Sequence, residues 1–207
     1  HSNYIPWHFL RETKKAIIKF APINEDGDIL IHELKKLITS KTKIIAITHL
    51  SNVTGTIVPV KEIVEIAHKK KIPVLVDGCQ SAPHITVDVS DLDCDFYAFS
   101  GHKVYGPTGV GILYAKKKWL EKLPPYIGGG AMISEVKKDK ITYAPLPEKY
   151  EAGTMPTAEV IAFNESIKFM KSIGMNNLMK HEKKITNYAL ENLKKINSVK
   201  IIGNPKN

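Results

Sequence analysis

The feature that most limits what this chain can fold into is a series of short apolar runs with helix-patterned segments between them. Lys43 to Leu50 (KIIAITHL), Pro73 to Asp77 (PVLVD) and Cys94 to Ser100 (CDFYAFS) are each compact and rich in β-branched or aromatic residues. Runs of this length read as strands buried on both faces. Between the first two lies Val60 to Lys71, whose Ile63, Val64, Ile66 and Ala67 fall on one helical face. Lysines close its last turn, where they suit the negative end of the helix dipole. Strand, helix, strand in succession predicts an α/β domain with a largely parallel sheet. A fourth run, Gly109 to Lys116 (GVGILYAK), follows Ser100 too closely for a crossover helix, so the last two strands are expected antiparallel.

Around this centre, Ala16 to Pro22 reads as a short strand, Asn24 to Gly27 as a turn, and Ile31 to Ile38 as a helix. Residues 124–156 are rich in Pro and Gly and show no regular period, as at a functional loop or a domain junction. Residues 157–173 and 176–196 read as helices, and Val199 to Ile202 as a strand.

Composition removes whole classes. With 43% hydrophobic and 25% charged residues, the chain is not of the disordered type. Two cysteines, Cys79 and Cys94, exclude a disulfide framework and show no metal-ligand spacing. No apolar stretch is long enough to span a bilayer, and no secretory signal pattern is read at the start. The chain opens on His1 rather than Met, as a piece of a longer protein would. The formal net charge of +9 raises the question of a polyanion partner. Arg11 is the sole arginine, however, and the lysines are scattered, which is the pattern of a solvated surface rather than of phosphate or base recognition. A basic α/β binding module is the competing class.

Ligands of open α/β sheets bind beyond the carboxyl ends of the strands. The residues that follow the strands here are Ser51, Asn52 and Thr54; then Asp77, Gly78, Gln80 and Ser81; then Ser100, Gly101, His102 and Lys103. They put a carboxylate, an amine, an imidazole, two amides and several hydroxyls on one predicted rim. A lysine held against a buried rim loses hydration and becomes a usable amine nucleophile. An acid and an amine at adjacent strand ends suit a flat ligand between them, and pyridoxal phosphate requires that layout. Its aldehyde takes the amine as a Schiff base, while a carboxylate keeps the ring nitrogen protonated. The plainer alternative is an Asp77–Lys103 ion pair.

These residues lie in longer motifs. Val76-Asp77-Gly78-Cys79-Gln80 and Phe99 to Gly111 (FSGHKVYGPTGVG) closely resemble the class V, fold-type I pyridoxal-phosphate enzymes, and among them the SufS/CsdA-type (group II) cysteine desulfurases. His1 to Trp7, Ile47 to Gly55, Leu92 to Tyr97, Gly128 to Ile133 and Tyr150 to Thr154 extend the likeness along the whole chain.

The resemblance implies a mostly parallel mixed sheet flanked by helices. Residues 1–150 would be part of the cofactor-binding large domain, and 151–207 a connecting helix and the beginning of a small domain. Lys103 would bind the cofactor and move the substrate Cα proton, and Asp77 would pair with the pyridinium nitrogen. Gln80 would bond the phenolic oxygen, and Asn52 the cofactor and substrate carboxylate region. Ser100 and His102 would hold the phosphate, while Thr154 would reach the phosphate of the partner subunit's cofactor in a homodimer. The implied reaction turns L-cysteine into L-alanine and a persulfide, with sulfur passed to an acceptor protein of iron–sulfur cluster assembly in the cytoplasm. Selenocysteine lyase or another class V aminotransferase or lyase is the related alternative. Neither nucleic acid nor membrane is an expected partner, and no metal is expected.

The family's catalytic cysteine and carboxylate-binding arginines belong to a C-terminal part not present here, so this stretch alone is expected to be inactive. Cys79 and Cys94 read as small buried residues. His32, His68, His84 and His181 read as surface or helix residues, and His49 as a satisfied core histidine. Gly106 to Gly111 lacks the Gly-Lys-Ser/Thr ending of a phosphate loop and reads as a hairpin. Gly128 to Gly130 is either a flexible turn or a dimer junction.

Overall fold

A computed structural model of the chain describes residues 2–203. Its centre is a four-stranded sheet in the order β1 (Ile45–Thr48), β2 (Val74–Asp77), β3 (Phe96–Ser100) and β4 (Gly111–Ala115). The pairs β1–β2 and β2–β3 are parallel and β3–β4 is antiparallel, as the run spacing predicts. The register sets Thr48 opposite Asp77 and Asp77 opposite Ala98, so β1 and β2 end at one level and β3 runs two residues further, to Ser100.

Burial alternates along β1 and β2 rather than covering both faces. Ile45, Ile47, Val74 and Val76 are buried, and their neighbours Ala46, Thr48, Leu75 and Asp77 are partly exposed. The buried face packs on α2 (Ile31–Leu37) and α3 (Val60–His68). Leu34, Ile63, Val64 and Ala67 meet the strand residues there, and Ile63 and Ala67 have no exposed surface. Burying a side chain the size of Ile63 contributes about 1.5–3 kcal/mol.

The other end of the sheet, below β3, is fastened by charge. Asp95 is buried, and its carboxylate accepts hydrogen bonds from Trp119 Nε1 at 2.7 Å and from the Val74 backbone N–H at 3.0 Å. His68 Nε2 lies 2.7 Å away and Lys118 Nζ 3.1 Å. Burial alone pushes this carboxyl up, but the donors outweigh it and hold it down at about 2. His68, at the end of α3, also reaches Asp93 through Nδ1 at 3.2 Å. The hub thus joins α3, β2, β3 and α6 (Lys117–Lys122).

The second, smaller core carries α7 (Thr157–Ile173), whose bounds match the sequence reading. Phe163 and Met170 pack against Val104, with Phe99 and Val110 alongside. This approach needs glycine at 106, where a Cβ would lie 2.6 Å from the Phe163 ring and 2.8 Å from the Gly101 carbonyl. The last long helix, α8 (Met175–Leu193), follows Gly174 and is tied to the short α4 (Ser81–His84) by a His84–Glu182 contact of 2.8 Å. The remaining helices are α1 (Ile5–Lys14) and the single turn α5 (Val89–Leu92).

Several expectations are corrected. Residues 16–22 form no strand: Ile17 and Phe20 are exposed, and only an isolated Ile23–Ile29 bridge appears nearby. An apolar run becomes a strand only when another strand offers its ladder, and none does so here among the described residues. Residues 199–202 likewise form none. The 124–156 stretch is not structureless, for it holds a hairpin of β5 (Ile133–Val136) and β6 (Ile141–Tyr143). Its strands are short and its register shifts between Ile133 and Glu135, which erases the period-two signal. His68 and His84 are helix residues as expected, and both also pair with carboxylates.

Candidate active site

The carboxyl ends of β1, β2 and β3 supply the site, and each turn there is locally determined. After β1, the chain loops through 51–56 and returns by a Leu50–Ile57 bridge. The Ser51 hydroxyl accepts the N–H groups of Val53 and Thr54, each at 3.2 Å, and so shapes the loop that exposes Asn52.

After β2, Gly78 donates its N–H to the Ala98 carbonyl at 2.8 Å and crosses the Tyr97 ring. Any Cβ at 78 would sit 2.1 Å from that ring, so only glycine allows the strand to turn here. The Tyr97 hydroxyl in turn meets Ser81 Oγ at 2.5 Å, and His49 Nδ1 lies 3.5 Å from it. Ser81 is therefore a buried prop under the rim and not a ligand group. His49 is a core histidine as expected, and burial pushes its pKa down.

Asp77 stands at the middle strand's end. Its Oδ1 accepts the Cys79 N–H at 3.1 Å, and it forms no ion pair within 4.0 Å among the described residues. The alternative of a simple Asp77–Lys103 salt bridge is thereby removed. Cys79 is only partly buried, not the enclosed residue the sequence suggests. Its Sγ lies 3.8 Å from Ser100 Oγ, between Asp77 and the end of β3. Burial, then the bond and charge of Asp77, raise the thiol's pKa, while Ser100 and the Lys103 charge oppose them. The balance keeps this thiol protonated, which makes it a poor nucleophile. Cys94 has no exposed surface, and burial pushes its thiol up to about 11.

After β3, Gly101 to Lys103 make one 3-10 turn. Gly101 anchors it by donating to the Val110 carbonyl at 2.9 Å and accepting from Gly106 at 3.0 Å. His102 and Lys103 project from this turn and are exposed. The desolvated lysine expected from the flanking apolar strand is therefore not found. Lys103 stands at the end of the 3-10 turn, and among the described residues its side chain is open to solvent. Gln80 is partly buried at the start of α4.

The structure thus brings Asp77, Cys79, Ser100 and the charge of Lys103 together. Asn52 is exposed in the loop that follows β1. Thr154 is separate: it is exposed in the 151–156 segment, with no described contact to the others. Sequence reasoning misses Tyr97 and Gly78 as supports of the site. Gly78 carried a signal, a glycine directly after a strand-end acid, whereas Tyr97 looked like any core aromatic.

The profile of the family described as aminotransferase class-V matches residues 1–207. A probable cysteine desulfurase of Halalkalibacterium halodurans is 47% identical over 203 residues, covering 98% of this chain and 50% of the relative. A cysteine desulfurase of Cronobacter sakazakii is 43% identical over 204 residues, with 98% and 50% covered. The crystal structure of the cysteine desulfurase CsdA from Escherichia coli superposes with a TM-score of 0.91 at 37% identity, covering 95% of this chain and 49% of that one. The apo cysteine desulfurase of Thermococcus onnurineus gives a TM-score of 0.90 at 32% identity, over 94% and 49%. The chain spans about half the length of the relatives it matches. With a family profile matched end to end and the expected mixed α/β sheet in place, this chain belongs to the class-V aminotransferase family.

Proposed function

We propose that this chain is the cofactor-binding portion of a pyridoxal-phosphate-dependent cysteine desulfurase. The observation that carries the reading is the meeting of Asp77 and the turn after β3 around Cys79, which sets an acid without an ion-pair partner among the described residues near an exposed amine. The donor set suits pyridoxal phosphate. Asp77 has a carboxylate oxygen to spare for a cationic ring nitrogen, and Ser100 and His102 offer a hydroxyl and an imidazole to a phosphate. Gln80 has an amide for the phenolic oxygen, and Asn52 one for the ring and a substrate carboxylate.

When bound, the cofactor supplies an aldehyde for amines and a ring that draws electrons from the substrate Cα. The protein's share is placement and proton handling. Asp77 holds charge at the ring nitrogen. Lys103 Nζ, unpaired with any carboxylate among the described residues, is available to take and return the proton at Cα. The Gly78 and Gly101 turns fix the strand ends that carry both groups. Thr154, apart from this cluster, serves the phosphate of the partner's cofactor, and the working unit is a homodimer.

The overall reaction cleaves the Cβ–S bond of L-cysteine, leaves L-alanine, and hands the sulfur to a thiol as a persulfide. Neither Cys79 nor Cys94 has the properties of that acceptor. The acceptor thiol therefore belongs to sequence outside these residues, and this stretch alone does not desulfurate cysteine. Identities of 43–47% to proteins described as cysteine desulfurases support the assignment. On this reading the sulfur serves iron–sulfur cluster assembly in the cytoplasm through an acceptor protein.

The test uses the full-length protein. Loading with pyridoxal phosphate, reduction with borohydride and peptide mapping should give a label on Lys103. Lys103→Ala should remove the label and lower alanine formation at least about a hundredfold. A reduced adduct on a different lysine in the unsubstituted protein would overturn the assignment.

A further inference from the structure

The segment that carries Thr154 is fastened to the sheet domain by two side chains without an assigned role. Lys149 Nζ donates to three backbone carbonyls, those of Leu120 at 3.0 Å, Glu121 at 3.3 Å and Leu123 at 2.6 Å. Tyr150 Oη lies 2.7 Å from the Leu120 and Leu123 carbonyls, so its one hydrogen serves either. The ammonium also sits 5.2 Å from the Tyr150 ring centroid. These carbonyls close α6, whose final turn leaves them without helical partners and favours a cation. The helix is itself pinned through Trp119 and Lys118 to buried Asp95 at the foot of β3. A second tie follows four residues before the helix α7 begins, where the Gly153 N–H donates to the Gly130 carbonyl at 2.9 Å.

The geometry points to Lys149 and Tyr150 as positioning residues for Thr154. They turn the closing carbonyls of α6 into an anchor, so that the exposed Thr154 side chain is presented from a fixed segment. This rests on the reading of Thr154 as a phosphate ligand. A helix cap that served stability alone would not distinguish a cofactor with a phosphate from one without.

The experiment compares pyridoxal phosphate with pyridoxal in full-length protein. Lys149→Met should weaken pyridoxal phosphate binding about tenfold while pyridoxal changes less than about twofold. Lys149→Arg, which keeps the donors, should restore the difference. On a Thr154→Val background, Lys149→Met should add nothing to the loss of phosphate discrimination. Hydrogen exchange of amides 151–155 should rise in Lys149→Met without cofactor. If that variant does not fold, Tyr150→Phe, which removes only the hydroxyl, is read the same way. Equal weakening of both ligands, or unchanged discrimination, overturns the positioning role. If Thr154→Val alone leaves the discrimination intact, the Thr154 reading fails and takes this inference with it. If Thr154→Val lowers the discrimination and the Lys149 and Tyr150 variants do not, only the positioning role fails.

Discussion

Replacing Asp95 with Asn tests whether the buried hub at the foot of β3 stabilises the fold through charge. Both carboxylate oxygens are used: Oδ2 faces His68 and the Val74 N–H, and Oδ1 faces Trp119 and Lys118. An amide nitrogen in either place sets donor against donor. The carboxyl is held at about 2 against an ordinary 3.8. That difference corresponds to about 2.4 kcal/mol at neutral pH, or about 1–2 kcal/mol after allowing for solvent screening around exposed Lys118. Opposing a buried donor adds about 1–3 kcal/mol. Asp95→Asn should therefore lose about 2–5 kcal/mol in urea unfolding followed by circular dichroism at pH 7. Because the folded value is depressed, the ionic part is complete above the unfolded pKa and fades as pH falls through 3.8 towards 2. About half of it should be gone at pH 3, so the gap between the two proteins narrows there. An unchanged midpoint at pH 7, or a difference identical at pH 7 and pH 3, refutes the reasoning.

Two other outcomes are expected. Gly78→Ala forces a methyl group to 2.1 Å from the Tyr97 ring, and should cost about 3 kcal/mol or more in thermal or urea unfolding; a variant as stable as the parent would show that the turn can relax. Burial lowers the His49 pKa, so its contribution is whole above its unfolded value and declines as pH drops below it. His49→Gln should flatten that part of the stability profile between pH 7 and pH 5, and an identical slope in both proteins would contradict the assignment.

The strands β1 to β4 were legible because their apolar runs recur in series, separated by helix-patterned and turn segments, so each run has a neighbour to pair with. The bounds of α7 were legible because Pro156 and Gly174 punctuate it. Ile17 and Phe20 misled because local pattern carries no information about whether a partner strand exists. The β5–β6 hairpin hid behind its shift of register. In the site, the nearness of Asp77 and Ser100 at the ends of β2 and β3 followed from parallel strand order. The exposure of Lys103 did not, since it depends on what lies over the rim. Asp95 gave no sign in Leu-Asp-Cys-Asp-Phe of being enclosed, and its donors come from residues 68, 74, 118 and 119.

Asp95 and Ser100 occupy opposite ends of one strand. Five steps of extended backbone separate them by about 17 Å, twice the roughly 8 Å over which physiological salt damps a surface charge. Distance and salt together keep exposed charges at the two ends from acting on one another. Lysines around Trp119 can be traded or neutralised in engineering a hardier variant, and proton affinities at the rim should stay where they were.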